Sequence, residues 1–278
     1  MFTSIPEYFL RAILASTVIT FLMGLLSPLI SFKGLAFLTH AAFHSLLLGG
    51  ILGVILTALI GGVNPTWTAL IVTVLTVLAI AALETSGLTS DTATGIVSSL
   101  VAGLTVLGFG ALYVIAAKKQ LYGFTQNIVS YLIGEVFLLT VNDLLELAAA
   151  GLALTLTLIL LYRDFLYVSF DPEGLASCGG NTKLYLTILY AITGAAAAVI
   201  VKTTGLITLQ VIAILPGAIA LKISRKLKKI LVYSIAITGA TQYASLIIAK
   251  ALNAPPSGVA TILLAAAYGI VTIKSRKT

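Results

Sequence analysis

Charge is scarce in this chain. Only 9% of its 278 residues are Asp, Glu, Lys or Arg, against about 25% in a soluble domain. So few charges cannot coat a water-facing surface, which excludes a soluble globular enzyme and a disordered segment alike. A single cysteine, Cys178, leaves no intrachain disulfide framework and no cysteine-based metal site. The opening stretch MFTSIPEYFL carries no basic region, so its apolar run is expected to be a true span rather than a cleaved signal. The glycines between Gly174 and Gly180 lack the Gly-Lys-Ser/Thr ending of a phosphate loop, so no ATPase site is read there.

Apolar length is what the chain has in abundance. Hydrophobic residues make up 59% of it, and the mean hydropathy is +1.13. A helix needs about 20 residues to cross a bilayer core of about 30 Å. Runs of that order fall at 8–30, 40–61, 66–84, 92–117, 144–162, 184–201, 205–221, 230–251 and 257–273. The fold class expected is therefore all-α, a polytopic bundle of 8–9 spans. The run 205–221 is short and holds Pro216, and 127–138 reads as a short interfacial or re-entrant helix. Gly61-Gly62-Val63-Asn64-Pro65 and Asn253-Ala254-Pro255-Pro256-Ser257 read as tight turns. No linker or low-complexity tract divides the chain, so 1–278 is read as one membrane domain.

The net charge of +7 follows topology rather than nucleic acid, because the cations sit in the gaps between apolar runs. Placing Lys222, Arg225, Lys226, Lys228 and Lys229 in the cytoplasm puts Lys274, Arg276 and Lys277 there too, two spans later. Lys33, Arg163 and Lys183 join them, whereas Arg11, Lys118, Lys119, Lys202 and Lys250 fall at outer ends. That count leaves the N-terminus outside.

Few residues carry chemistry. Both histidines lie in Thr39-His40-Ala41-Ala42-Phe43-His44, four apart, on one helix face with β-carbons about 6 Å apart. Imidazole is the commonest metal ligand, and ionisable groups inside spans usually line a path; two hydrogen-bonded histidines at a helix end fit the same spacing. No Glu stands between them as a zinc protease requires. Glu135 follows Gly134 in an apolar context and is a weaker candidate ligand. Asp171-Pro172-Glu173 opens a short polar segment, with Asp171 expected to N-cap a helix and Pro172 in its first turn. Asp143 is expected to N-cap the span after it, with Glu146 three residues on. Pro216 removes a helical hydrogen bond near residue 212 and is a candidate gating kink. Gly49 and Gly53 permit close helix packing.

Several of these stretches, in order and at matching spacing, resemble the membrane permease subunits of ABC importers for zinc, manganese or related divalent metals. Phe32-Lys33-Gly34 through Gly53 is similar to that family's basic residue followed by Gly-Asp-x-x-x-His-Ala, with His44 on the His. His40 stands on the family's Asp and Thr39 on its Gly, which are departures. Ser130-Tyr131-Leu132-Ile133-Gly134-Glu135 resembles its Tyr-Leu-Phe-Gly-Asp/Asn stretch, with Asp143 on the acid that follows. Asp171-Pro172-Glu173 with Ala176 resembles its cytoplasmic Asp-Pro-Glu-x-Ala segment, and Gly205 through Pro216 to Ala220 resembles its Gly-x-Leu-(apolar)-Pro-Ala-Ala run.

The resemblance implies a multi-pass permease of the cytoplasmic membrane, working as a homodimer. Each copy would dock a cytoplasmic ABC ATPase subunit through a segment near 163–183, at Asp171, Pro172, Glu173 and Ala176. An extracytoplasmic metal-binding protein would deliver zinc or manganese, which is substrate rather than resident cofactor. The chain itself would not be an enzyme, and nucleic acid is no partner. His40 and His44 would be transient pathway ligands. Three alternatives stand beside this: a permease for metal chelates such as siderophores or cobalamin, an ion-coupled secondary transporter using His40, His44 and Glu135, and, ranked last, an intramembrane hydrolase.

Overall fold

The structure is a computed structural model that describes residues 6–119, 134 and 136–275. Among these residues there is no strand. The helices are α1 (Glu7–Lys33), α2 (Ala36–Ile60), α3 (Pro65–Thr85), α4 (Ser90–Lys119), α5 (Val141–Phe170), α6 (Pro172–Ser177), α7 (Thr182–Ile223), α8 (Leu227–Leu252) and α9 (Pro256–Ser275). A 3₁₀ turn, Val136–Leu138, precedes α5. All except the six-residue α6 are long and apolar enough to cross a membrane, which makes eight.

Local chemistry sets the helix ends. Gly34 closes α1 in the left-handed conformation and donates its N–H to the Ile30 carbonyl. Asn64 caps α3 by accepting the Thr66 N–H at 2.9 Å, with Pro65 in the first turn, where a missing N–H costs nothing. Asn253 closes α8, also left-handed. The start of α5 differs from the expectation. Thr140, not Asp143, is the cap: its hydroxyl accepts the Asp143 N–H at 3.2 Å, and the Asp143 carboxylate accepts the Thr140 N–H at 3.1 Å. The reciprocal capping box thus begins three residues earlier than Asp143 and Glu146 suggest, because aspartate serves in it as well as glutamate.

The nine apolar runs correspond to eight helices. Runs 184–201 and 205–221 are the two arms of α7, whose 42 residues would extend about 63 Å if straight, twice the hydrocarbon thickness. Gly205 interrupts it with φ 71° and ψ 160°, a conformation essentially confined to glycine. Of the segment 127–138, only Gly134 and residues 136–138 are among those described.

Backbone contacts divide the chain into two compact units. The first takes its residues from Met1–Gly34, Ile133–Arg163 and Val199–Thr278. At one of its ends Arg11 donates to the Leu139 carbonyl at 2.8 Å, Lys202 pairs with Asp143 at 3.0 Å, and the Lys250 ammonium lies 4.8 Å from the Phe9 ring centroid. At the other, the Lys222 ammonium lies 5.2 Å from the Tyr268 ring centroid, beside the basic 222–229 turn. The two sets of cations thus sit at opposite ends of this unit, as the charge count expects. The arm of α7 after Gly205 runs from one end to the other.

The second unit takes Leu35–Leu132 and Asp164–Ala198. Here α2 packs on α3 and α4. A Cβ on Gly49 would lie 2.5 Å from the Ala69 Cα, and one on Gly53 2.6 Å from the Pro65 Cα. These two glycines therefore set how closely α2 and α3 approach.

Candidate functional site

The histidine pair forms on α2 because a spacing of four returns to the same face after one turn. The two Nε2 atoms are 3.2 Å apart, and the ring planes meet at 82°. Phe37 and Phe43 lie nearly parallel to the His40 ring, at 6.0 and 6.2 Å between centroids, and hold it in orientation. Both imidazoles are half-buried.

Two chemistries suit this geometry. One Nε2–H can donate to the other Nε2. Alternatively, both lone pairs can meet one cation, both rings then carrying their protons on Nδ1. Two nitrogens at 2.0–2.1 Å from a tetrahedral zinc are about 3.3 Å apart, close to the observed separation. Among the described residues no third His, Cys, Asp or Glu joins them in a cluster. Glu135, the weaker candidate ligand, lies outside the described residues.

The segment 171–180 folds as its sequence expects. The Asp171 carboxylate accepts the Gly174 N–H at 2.8 Å and caps α6, with Pro172 in the first turn. Leu175 is buried, while Asp171, Pro172, Glu173 and Ala176 are exposed. Gly180 donates to the Leu175 carbonyl at 2.9 Å, and Gly179 sits at φ 80°. The result is a short, rigid helix anchored by one apolar residue and presenting a polar face.

Pro216 is buried inside α7, and its disturbance is met by α1. The Gly217 N–H donates to the Ser27 hydroxyl oxygen at 2.8 Å, and the Ser31 hydroxyl donates to the Ile214 carbonyl at 3.4 Å. A Cβ on Gly217 would lie 2.7 Å from the Pro28 nitrogen. Ser27-Pro28 and Pro216-Gly217 thus cross backbone against backbone, each proline lying inside a helix to which it gives no N–H.

Two further stretches singled out in the sequence meet at their glycines. Gly134, at φ 64°, packs directly on the Thr204–Gly205 peptide. The break in α7 and the turn before α5 are therefore one joint. Sequence reasoning missed Ser27 and Tyr190. Tyr190 is fully buried, and its hydroxyl donates to the Glu84 carboxylate. The available signal was a tyrosine in an apolar run, whose hydroxyl needs a partner wherever it is buried.

The profile of the ABC 3 transport family matches residues 6–275. The chain belongs to that family. It is 26% identical over 98% of its length, and 94% of the relative's, to a probable iron transport system membrane protein of Haemophilus influenzae. It is 25% identical to the high-affinity zinc uptake system membrane protein ZnuB of the same organism, over 79% of each chain. With the manganese import system permease protein ScaB of Streptococcus parasanguinis it shares 24% identity over 87% of this chain and 82% of that one. Its fold is similar to that in the solved structure of PsaBC from Streptococcus pneumoniae in complex with Fab. The TM-score is 0.76, at 20% identity, over 96% of this chain and 91% of that one. Eight helices of membrane length in a chain of the ABC 3 family make it a multi-pass protein of the cell membrane.

Proposed function

We propose that this chain is the membrane-spanning permease subunit of an ATP-driven importer of divalent transition-metal ions, zinc or manganese, and that residues 1–278 act as one membrane domain. The observation that carries the ion assignment is the convergence of the His40 and His44 Nε2 atoms to 3.2 Å. That bite suits a metal ion better than a bulky chelate. Family membership and the metal systems named among its relatives support the same reading.

In this reading the permease supplies a path, and a separate cytoplasmic ABC ATPase supplies the energy. His40 and His44 hold the ion briefly. Two ligands from one chain make a weak site, and conduction needs weak sites, since an ion held tightly does not leave. A second copy of the chain completes a homodimer. An extracytoplasmic metal-binding protein delivers the ion at the end holding Arg11, Lys202 and Lys250. The exposed face of α6, with Asp171, Pro172, Glu173 and Ala176, docks the ATPase, and the paired proline crossing at Pro216 gates the path. An ion-coupled secondary transporter would work without a partner, which separates the two mechanisms.

The test is uptake into liposomes holding the chain with its ATPase and metal-loaded binding protein, with Zn²⁺, Mn²⁺ and Fe²⁺ in parallel. ATP-dependent uptake is expected for one ion, lost in His40→Ala and His44→Ala while basal hydrolysis persists. Uptake by the chain alone, without ATP, overturns the proposal.

A further inference from the structure

The second unit contains a polar contact that the proposed path and docking surface leave unused. Tyr190 lies two turns into α7 and is 0% exposed. Its hydroxyl donates to the Glu84 carboxylate at the end of α3, and the Ser90 hydroxyl at the start of α4 lies 3.1 Å from the same oxygen. One phenol therefore ties both sides of the α3–α4 turn to α7. One helical turn further, a Cβ on Gly194 would lie 2.8 Å from the Val77 side chain, so α7 and α3 are in close contact there too.

The position of this contact gives it meaning. Only residues 178–181 separate α6 from α7, so Tyr190 stands about 12 Å along α7 from its first residue. On the far side, α3 lies against α2 through Gly49 and Gly53, and α2 carries the histidine pair. The path α6, α7, α3, α2 is contiguous and lies wholly within one compact unit. Tyr190 is buried while Glu84 is half-buried, so this phenol–carboxylate hydrogen bond is a directional link in the path, stronger than the apolar contacts beside it.

We propose that Tyr190 is a positioning residue for transport: its bond to Glu84 makes the α3–α4 turn and α6 move as one body, so that displacement of α6 reaches α3 and the histidines on α2. The proposal rests on the reading of α6 as the ATPase-docking element. Tyr190→Phe keeps the ring and removes only the hydroxyl. Glu84→Gln keeps an oxygen that accepts the same bond.

In the reconstituted full complex, Tyr190→Phe is expected to lower metal transported per ATP hydrolysed by about tenfold. Assembly and basal hydrolysis stay as in the parent, and Glu84→Gln stays within about twofold of it. An unchanged ratio in Tyr190→Phe overturns the proposal; so does a loss of assembly in both variants, which marks a purely structural bond. A second measurement needs no transport. Spin labels on Cys178, the chain's own cysteine, and on Ser86→Cys, both at exposed positions, report the distance between α6 and the α3–α4 turn in nanodiscs. A narrow distribution in the parent that broadens in Tyr190→Phe is expected. Equal widths refute the link even where the importer reading stands, and a broadened distribution in a chain that moves no metal refutes the importer reading alone.

Discussion

Gly134→Ala tests the joint between α5 and the break in α7. The residue sits at φ 64°, where an alanine costs about 1–2 kcal/mol. The added Cβ would also strike the Thr204–Gly205 peptide, with the Gly205 Cα at 2.6 Å against about 3.5–4.0 Å for carbon atoms in contact. That neighbour is backbone, so the helix break itself has to move by about 1 Å. Such overpacking costs about 1–3 kcal/mol more. The sum is about 4 kcal/mol, which lowers Tm by roughly 10 °C in a chain of this size. The assay is thermal unfolding of the detergent-solubilised chain by far-ultraviolet circular dichroism. Gly103→Ala is the control: that helical glycine has nothing within 4 Å of its added Cβ, and the change stabilises by about 0.5–1 kcal/mol. A Gly134→Ala chain melting within about 2 °C of Gly103→Ala would refute the joint.

Ser27→Ala leaves the buried Gly217 N–H without its 2.8 Å acceptor and costs about 1–3 kcal/mol, read in the same melt; Ser27→Thr restores most of it. A double-mutant cycle of Lys202→Met and Asp143→Asn is expected to give a coupling of about 1 kcal/mol or less, shrinking with added salt, because both side chains are about a third exposed. Asp171→Ala removes the cap of α6 and about 1 kcal/mol of local stability, read as faster amide exchange at Gly174; on the proposed docking role of α6 it also weakens co-purification of the ATPase. On the proposal that His40 and His44 act as one chelate, each alanine variant and the double variant are expected to lose metal uptake equally; additive losses would show that the two rings act separately.

The fold was largely legible because membrane crossing imposes a length that apolar runs must meet. The turns at Gly61–Pro65 and Asn253–Ser257 follow from residues that end or start helices by their own backbone chemistry, and Asp171-Pro172 from the same rules. Gly205 was harder to read. It sat between two runs taken as separate spans, and nothing local distinguishes a loop from a one-residue break in a continuing helix. The capping box at Thr140 was displaced because Asp143 fits two positions in that motif equally well. The histidine spacing placed both rings on one face, but only side-chain coordinates bring the two Nε2 atoms to 3.2 Å. Tyr190–Glu84 and Ser27–Gly217 join residues 106 and 190 positions apart. No pattern within one segment encodes such a partner.

The departures from regular helix chemistry gather on α7, and each is answered from another element. The break at Gly205 is packed by Gly134, the proline at 216 is covered by Ser27 and Ser31, the buried phenol of Tyr190 is met by Glu84, and the charge of Lys202 by Asp143. A helix needed only to span lipid has no use for any of these, since an uninterrupted apolar run satisfies its own backbone. Its hydrophobic window is 61% buried, against 22% for α4, α5 and α9, whose apolar faces are left for lipid or another chain. Residues 182–198 of α7 belong to the second unit and residues 199–223 to the first. Like α5, this helix contributes residues to both compact units, and its irregularities are individually compensated. Local rules are broken with compensation where function constrains a fold, which makes α7 the element whose variants should separate transport from folding most cleanly.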